Sequence, residues 1–419
     1  GLGSKSYASI QLNGINATDM LRIESFESPE EVRWMLPPSK SHMIRWLVLA
    51  AQAEGPTELS FKGIPGQDVD SMVSCLEKMG ARIEKRVGVW IVRGGTDGLH
   101  ASDGTMCCGN SATTARIVTA ISAGMNSTSA IDGDDSLRRR DGSALALALR
   151  ELGCQLTSER LPCTVTGPVL PGLATLDQSS SSQPLTALLL ASPNFPIGTE
   201  VQLTGEPVSR GYSNLTIDLC RACGWSNDMD EGRISLSHWE VCCPDRVEIP
   251  EELSLLPMSI LFDRLHGTSS LERPIQNGDY RIMEVIKSSL DPKRVEVDIR
   301  DASDVITPIV TLMALGNGGI ITGAAHARGK ESDRISTTAE LLGAFGIEVK
   351  VTGNRISARG RQWPKSPERP VETHGDHRLA MTAVVLATAV GGTVLNPEVC
   401  SVTDPGFVEM IISGQDPSQ

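Results

Sequence analysis

The run from 329 to 334, Gly-Lys-Glu-Ser-Asp-Arg, places two cations, two carboxylates and a hydroxyl within six residues. It lies directly before a helical pattern over 335–345. The first backbone N–H groups of a helix are free and its dipole is positive there, so anionic groups bind at such a position. The pattern indicates either a site for anion binding and proton transfer or a solvated loop with local ion pairs.

Five other segments have the same design. Each places small or polar residues, often with a Lys or Arg, before an apolar helical pattern, as helix N-caps require. These segments are 38–45, 109–116, 179–183, 301–304 and 375–378. One such segment is ordinary capping. Six of them predict helix starts that converge on a ligand set with more than one phosphate or carboxylate.

The overall composition limits the class of protein. The net charge of −13 argues against general binding to nucleic acids or anionic membranes. No apolar run reaches the roughly 18 to 20 residues that span a bilayer. Ten cysteines in 419 residues do not make the disulfide framework of a small secreted domain, so we expect reduced thiols and a cytoplasmic location.

Two clusters could be interpreted as metal sites. Cys220 and Cys223 are followed by Cys242 and Cys243, but two adjacent side chains cannot easily both reach a tetrahedral zinc ion. The run 374–378, His-Gly-Asp-His-Arg, also holds metal-ligand types, yet its arginine favours an anion instead. We therefore expect no metal.

The elements that position these segments recur along the chain. Amphipathic helical patterns end at Gly80, Gly153, Gly224 and Gly346, and a short strand pattern follows each. The first three glycines lie about 70 residues apart, and a degenerate unit over 282–299 fits the longer last interval. This period predicts repeated α/β units, about six in all and three per domain.

Two places in the chain look like crossings between domains. One is the stiff Pro37-Pro38 pair, and the other is the acidic, proline-punctuated stretch 245–257. We predict one domain from 1–37 together with 250–419, and another from 38–249. The site would then lie in the cleft between them.

Six motifs in this order are jointly specific. They are Lys-Ser-x-x-x-Arg at 40–45, Gly-Asn-Ser-x-Thr-Thr-x-Arg at 109–116, Ser-Ser-Gln at 181–183, Ser-Arg-x-Tyr at 209–212, Lys-Glu-Ser-Asp-Arg at 330–334 and Asp-His-Arg at 376–378. In this set the chain resembles the enolpyruvyl transferases, and among them the 5-enolpyruvylshikimate-3-phosphate synthase family, over about 23–407.

The resemblance implies a fold and a reaction. The fold is two similar α/β domains, each of three βαβαββ-type repeats (an inside-out α/β barrel), with the active site in the interdomain cleft. The reaction moves the enolpyruvyl group of phosphoenolpyruvate onto the 5-hydroxyl of shikimate 3-phosphate and releases phosphate. The family needs no metal or organic cofactor and acts on small phosphorylated substrates, usually as a monomer.

The resemblance also implies roles, position by position. The proposed catalytic residues are Lys40, Asp304 and Glu331. The acceptor-binding set is Ser41, Arg45, Ser181, Ser182, Ser209, Tyr212, His326 and Lys330. The donor-binding set is Asn110, Ala112, Arg140, Gln183, Arg334, His377 and Arg378. Guanidinium groups suit bidentate contacts with a carboxylate, and hydroxyls with a lysine suit a phosphate dianion.

The chain departs from the family pattern mainly on the donor side. Ala112 stands where most members have Gly, which predicts poor inhibition by glyphosate. Val402 stands where the family has a Lys that reaches the donor phosphate, Asp141 replaces a Pro, and the signature at 252–257 is eroded. Two alternatives therefore stay open: a sister enzyme of a specialised pathway with an altered donor or reaction, and a non-catalytic paralogue that binds the acceptor.

Overall fold

The computed structural model describes residues 20–227, 229–271 and 280–413. The chain divides into two compact units. The central unit is Pro37–Glu252, and the terminal unit is Gly1–Leu36 with Leu253–Gln419. No helix in the described ranges is long and apolar enough to span a membrane.

The helices in the described ranges begin and end as follows: α1 (Lys40–Gln52), α2 (Gln67–Lys78), α3 (Ala112–Ala123), α4 (Asp135–Arg138), α5 (Ser143–Glu151), α6 (Gln183–Ala191), α7 (Arg210–Ala222), α8 (Leu256–His266), α9 (Tyr280–Ser289), α10 (Ile306–Leu315), α11 (Arg334–Ala344), α12 (His377–Val390) and α13 (Phe407–Ser413). Short 3-10 helices span Pro29–Glu31, Ser192–Asn194, Leu253–Leu255, Ser303–Val305, Ala325–Gly329 and Pro397–Val402.

The strands are β1 (Met20–Ile23), β2 (Thr57–Ser60), β3 (Arg82–Arg86), β4 (Val89–Arg93), β5 (Met106–Cys107), β6 (Thr128–Asp132), β7 (Gln155–Leu156), β8 (Cys163–Thr166), β9 (Gly172–Asp177), β10 (Thr199–Thr204), β11 (Met229–Asp230), β12 (Arg233–Ser235), β13 (Arg246–Glu248), β14 (Val295–Asp298), β15 (Gly318–Thr322), β16 (Val349–Thr352), β17 (Arg355–Arg359) and β18 (Gly392–Leu395).

Among the described residues, four sheets repeat one topology. The central unit contains sheets of order β13-β2-β4-β3, β5-β6-β8-β7 and β11-β12-β10-β9, and the terminal unit contains β14-β15-β17-β16. Each sheet has one parallel pair and two antiparallel pairs. In the terminal unit, β1 also pairs antiparallel with β18, with Met20 opposite Leu395. The predicted repeat of helix and strand is confirmed in these sheets.

The helices behind the candidate segments form the cores. All ten residues of α10 are buried, and the residues of α3 and α12 are mostly buried as well. A helix that is apolar on every side belongs in the middle of a core, where it gains packing all round. Each core helix therefore fixes the position of the polar residues at its N-terminus.

The predicted helix ends are confirmed at the four glycines. Gly80, Gly153, Gly224 and Gly346 have φ values of 100°, 90°, 110° and 69°. These angles lie in the left-handed region that glycine adopts without a Cβ penalty. A β-carbon on Gly346 would also lie 3.2 Å from Cδ of Lys365.

The helix starts differ in how they are capped. Side chains cap α1 (Ser39), α3 (Ser111), α11 (Asp333) and α12 (Asp376) by accepting backbone N–H bonds. By contrast, α6 has no side-chain cap, and α10 begins only after the 3-10 turn Ser303–Val305. Asp304 therefore lies in that turn, where its carboxylate is not used as a cap.

Candidate active site

Lys40 is the first residue of α1, in the central unit. Its Nζ lies 3.0 Å from Oδ2 of Asp68, and the two side chains are 18% and 6% exposed. The backbone N–H of Lys40 donates to Oε2 of Glu252 at 2.9 Å. The carboxylate of Asp68 thus holds the ammonium group of Lys40, and that of Glu252 holds its backbone N–H. The ammonium group lies near the surface of the central unit.

Arg45 lies one turn further along α1 and is 3% exposed. Its guanidinium donates to Oγ1 of Thr216 at 2.8 Å, to Oγ1 of Thr186 at 3.3 Å, and to the carbonyls of Ser41 and Tyr212. Every one of these acceptors is neutral. Burial lowers the pKa of Arg45 to about 10, and the group stays charged at neutral pH.

The hydroxyl residues expected at the acceptor phosphate lie on two helix starts of the central unit. Oγ of Ser181 accepts from the backbone N–H of Gln183 at 3.1 Å, and Ser182 is buried as the N-cap of α6. Ser209 is the N-cap of α7, is buried, and has φ 50°. A non-glycine residue held in this region is strained, and such strain is common where a backbone is shaped for a ligand. The Cζ atom of Arg45 lies over the ring of Tyr212, 5.9 Å from the ring centroid.

Two donor residues of the central unit, Arg140 and Asn110, contact each other. Nη2 of Arg140 donates to Oδ1 of Asn110 at 3.0 Å, and Nδ2 of Asn110 donates to Oδ2 of Asp134 at 2.8 Å. Nε2 of Gln183 reaches Oγ1 of Thr113 at 3.3 Å. The loop before α3 is therefore tied to the segment after α4, and the first turn of α3 is tied to the start of α6.

Ala112 is the first residue of α3 and is 6% exposed. The loop that precedes it turns at Gly109, whose φ is 56°. The Ala112 methyl therefore lies at the junction of this loop and the helix start.

In the terminal unit, the structure brings carboxylates from the segments 301–304, 329–334 and 375–378 together around one arginine. Arg334 is 1% exposed and is surrounded by three of them. Its Nη1 lies 3.0 Å from Oδ1 of Asp304, its Nη2 lies 2.7 Å from Oε2 of Glu331, and its Nε lies 2.9 Å from Oδ2 of Asp376. Burial alone would lower the pKa of Arg334, but the charges of the three acids outweigh it and hold the pKa above its ordinary value.

Arg378 is the second residue of α12, the helix that Asp376 caps, and it is 3% exposed. Its Nη1 donates to Oγ of Ser254 at 2.8 Å and to the Ser254 carbonyl at 3.2 Å. Its Nε is buried with no hydrogen-bond partner among the described residues. His377, next to it, is 1% exposed.

His326 and Lys330 flank the last turn of the 3-10 helix Ala325–Gly329. Burial, with a smaller contribution from the charge of Lys330, lowers the pKa of His326 to about 4. His326 is therefore neutral at pH 7, and its Nε2 is buried without a partner in the described ranges. Lys330 is partly buried.

Val402 ends the 3-10 helix Pro397–Val402 and is 5% exposed. Two residues later, burial raises the pKa of Asp404 to about 7. The Oγ1 of Thr403, between them, is buried with no partner in the described part of the chain. A small apolar side chain and a partly protonated carboxyl therefore occupy the segment where the family pattern has a lysine.

Sequence reasoning missed the partners of the candidate cations. Asp68 pairs with Lys40, Asp376 with Arg334, and Ser254 with Arg378. The sequence contained a signal for Asp376 as a site residue, because Asp376 belongs to the same short motif as Arg378. Nothing in the sequence connects Asp68 with Lys40, which is 28 residues away.

The described residues contain no group of three His, Cys, Asp or Glu side chains arranged to hold a metal ion. Of the cysteines considered for zinc, Cys223 and Cys243 have their Sγ atoms 3.6 Å apart, and Cys242 is exposed.

Comparison with known proteins identifies the family. A family model described as EPSP synthase (3-phosphoshikimate 1-carboxyvinyltransferase) matches residues 30–232 and 265–411. A protein of Methanothermobacter thermautotrophicus named 3-phosphoshikimate 1-carboxyvinyltransferase is 30% identical over 90% of this chain and 94% of its own. One of the same name from Halobacterium salinarum is 30% identical over 92% and 97%.

Solved structures share the fold. An EPSP synthase from Acinetobacter baumannii has a TM-score of 0.73 at 22% identity, over 95% of this chain and 98% of that one. The enolpyruvyl transferase NikO from Streptomyces tendae has a TM-score of 0.67 at 14% identity, over 94% and 97%. These matches confirm the predicted two-domain α/β fold. Since the family model spans most of the chain and relatives at 30% identity cover nine-tenths of it, the chain belongs to the EPSP synthase family of enzymes.

Proposed function

We propose that this enzyme transfers the enolpyruvyl group of phosphoenolpyruvate to the 5-hydroxyl of shikimate 3-phosphate and releases phosphate. Two buried cations carry the proposal. Arg45 and Arg378 are each 3% exposed, and within the described part of the chain their side chains donate only to neutral acceptors. A buried charge without a counterion is costly, so each of these sites favours an anionic ligand. Both proposed substrates carry carboxylates and phosphates.

The acceptor would be held by cations and hydroxyls that are already arranged. We assign the carboxylate and ring of shikimate 3-phosphate to Ser41, Arg45 and Tyr212. Its 3-phosphate is assigned to Ser181, Ser182, Ser209, His326 and Lys330. The neutral His326 has a buried Nε2 without a partner, and it can donate a hydrogen bond or accept one without adding charge.

The donor would be held by the remaining cations. We assign its carboxylate to Arg334 and Arg378, and its phosphate to Lys40, Arg140 and Gln183. Asn110, Ala112 and His377 complete the donor set. The ammonium group of Lys40 lies 3.0 Å from Asp68 at the start of α1, and its positive charge can neutralise a departing phosphate.

The chemistry requires three proton transfers and one leaving group. The acceptor hydroxyl loses its proton and attacks C2 of phosphoenolpyruvate, while the methylene carbon gains a proton, which gives a tetrahedral adduct. Loss of a methyl proton then restores the double bond as phosphate departs. Asp304 and Glu331 lie on one guanidinium at 3.0 and 2.7 Å, and these are the carboxylates that we assign to the proton transfers.

The test is turnover. The purified enzyme is incubated with phosphoenolpyruvate and shikimate 3-phosphate, phosphate release is followed, and the product mass is measured. We expect release only when both substrates are present, and a product heavier than the acceptor by one enolpyruvyl group. Absence of release under these conditions would contradict the proposal.

One observation favours a second candidate, a sister transferase with an altered donor or reaction. Val402 is buried where the family pattern has a lysine for the donor phosphate, and loss of a charge-assisted phosphate contact weakens binding of that donor. Binding of shikimate 3-phosphate without phosphate release would support this candidate. A non-catalytic paralogue is less well supported, because Lys40, Asp304 and Glu331 are all retained.

We also propose that the enzyme is poorly inhibited by glyphosate. The support is the Ala112 methyl, buried at the start of α3 where most family members have Gly. Ala112→Gly removes this methyl, and we expect the glyphosate concentration for half-inhibition to fall by about tenfold or more, since a steric clash in a close-packed pocket is removed. Ala115→Gly, one turn later in the same helix, is the matched control and should leave inhibition nearly unchanged. Equal inhibition of the wild type and Ala112→Gly would contradict the proposal.

A further inference from the structure

The guanidinium of Arg334 has two edges that can each hold a carboxylate, and the structure fills them differently. Asp376 takes the edge formed by Nε and Nη2 with both of its oxygens, at 2.9 and 3.2 Å. The opposite edge, formed by Nη1 and Nη2, is shared by single oxygens of Asp304 and Glu331. A carboxylate that accepts two parallel hydrogen bonds from a guanidinium fixes its orientation. Two carboxylates that accept one hydrogen bond each fix it less firmly.

Asp376 is also the most deeply buried of the three acids. Its side chain is 0% exposed, whereas those of Asp304 and Glu331 are 22% and 13% exposed. Besides Arg334, it accepts from Oγ of Ser332 at 2.9 Å and from the backbone N–H of Arg378 at 2.9 Å. Moving Asp376 would break all of these bonds at once.

The charges around Arg334 also distinguish the two edges. Three carboxylates already accept from the guanidinium of Arg334, so a further anion can bind it only where one of them gives way. Asp304 and Glu331 are the partners that can give way, because solvent reaches them and each gives the guanidinium one oxygen.

We propose that Asp376 is the fixed counterion and positioning residue of Arg334, and that the carboxylate of the donor exchanges with Asp304 and Glu331 at the Nη1/Nη2 edge. The inference rests on the proposed function and deepens it. Arrival of the donor then frees the two carboxylates that transfer protons. The enzyme keeps them neutralised by Arg334 until the donor is in place.

The first test is Asp376→Asn. Asparagine is as good an N-cap as aspartate, so α12 keeps its start. The amide, however, supplies only one acceptor to Arg334 and removes the counterion. We expect KM for phosphoenolpyruvate to rise by about tenfold or more and KM for shikimate 3-phosphate to stay within about twofold. The acid limb of the pH profile of kcat/KM should also move to lower pH. Arg334 then stabilises the charged forms of Asp304 and Glu331 more strongly, because the competing charge of Asp376 is gone. Asp376→Glu should recover part of both effects.

Asp333→Asn is the matched control. Asp333 caps α11, the helix that begins at Arg334, but its carboxylate pairs with Arg328 at 2.7 Å instead. The same change of charge at this cap should leave both KM values within about twofold. Equal changes in the two KM values for Asp376→Asn, or an unmoved acid limb, would show that Asp376 only caps its helix.

A second readout needs no turnover. In arginine labelled with nitrogen-15, the Nε–H signal of Arg334, assigned through Arg334→Lys, should exchange slowly with solvent. Asp376→Asn should abolish that protection, and Glu331→Gln should leave it. Loss of protection in Glu331→Gln alone would overturn the inference. One outcome separates the two claims: the wild type and Glu331→Gln show the protection, Asp376→Asn loses it, and the wild type shows no turnover. That result would contradict the proposed function and would still support the role of Asp376.

Discussion

Arg45 shows how a single side chain can be prepared for a ligand. Its hydrogen bonds go to two threonine hydroxyls and two carbonyls, so its geometry is fixed while its charge is not neutralised. We expect Arg45→Lys to weaken binding of shikimate 3-phosphate by about tenfold or more, because an ammonium group cannot replace a planar fork. Calorimetric titration measures this directly.

Arg116→Lys is the control for that prediction. Arg116 is also buried in the central unit, at 7% exposure, and its Nη2 donates to the carbonyl of Asp141. Loss of its hydrogen bonds should lower the stability of the unit without changing the affinity for shikimate 3-phosphate by more than about twofold. Equal weakening in both variants would mean that Arg45 acts through the fold and not through the ligand.

At the scale of an element, α11 carries Arg334 and ends in a left-handed glycine. Gly346→Ala should lower the free energy of unfolding by about 1 to 2 kcal/mol, because its φ is 69° and the new methyl would meet Lys365. Chemical denaturation followed by circular dichroism gives the value.

The same helix contains its own control. Gly343 lies inside α11, is exposed, and has nothing within 4 Å of an added β-carbon. Gly343→Ala should therefore raise the free energy of unfolding by about 0.5 to 1 kcal/mol. The same sign of change in both variants would contradict the assignment of Gly346 as the helix cap.

Some of this organisation could be predicted from the sequence, because it depends on local patterns. The glycine caps and, within two residues, the starts of α6 and α12 follow from apolar periodicity and capping residues within about a dozen positions, whereas α3 begins at Ala112, inside the segment 109–116 that the sequence pattern places before it. The hydrogen-bond partners of the buried arginines could not be predicted in the same way. Asp376 lies 42 residues from Arg334 and Thr186 lies 141 residues from Arg45, and only the folded sheets bring such residues together.

At the scale of the whole molecule, buried titratable groups set the dependence of stability on pH. Burial lowers the pKa of His42 to about 4 in the central unit, and that of His326 to about 4 in the terminal unit. Below the ordinary value of 6.5 the unfolded chain takes up these protons and the folded chain does not. Stability is therefore lost as the pH falls from about 6.5 towards 4.

Asp404 has the opposite effect in the terminal unit. Its pKa is raised from 3.8 to about 7, so the folded state holds a proton that the unfolded state releases, and stability is gained as the pH falls through that window. We expect Asp404→Asn to remove this gain. Between about pH 7 and pH 5, the variant should lose roughly 2 kcal/mol more unfolding free energy than the wild type. Urea denaturation at the two pH values measures the difference, and parallel losses in both proteins would contradict the burial of Asp404.

The most direct test of the central claim is the position of the new bond. Phosphoenolpyruvate labelled with carbon-13 at C2 is reacted with shikimate 3-phosphate, and the product is examined by long-range carbon–proton NMR. Transfer to the 5-hydroxyl predicts a coupling between the labelled carbon and the ring proton on C5. A coupling to any other ring proton, or a labelled carbon found only in unreacted donor or pyruvate, would contradict the account.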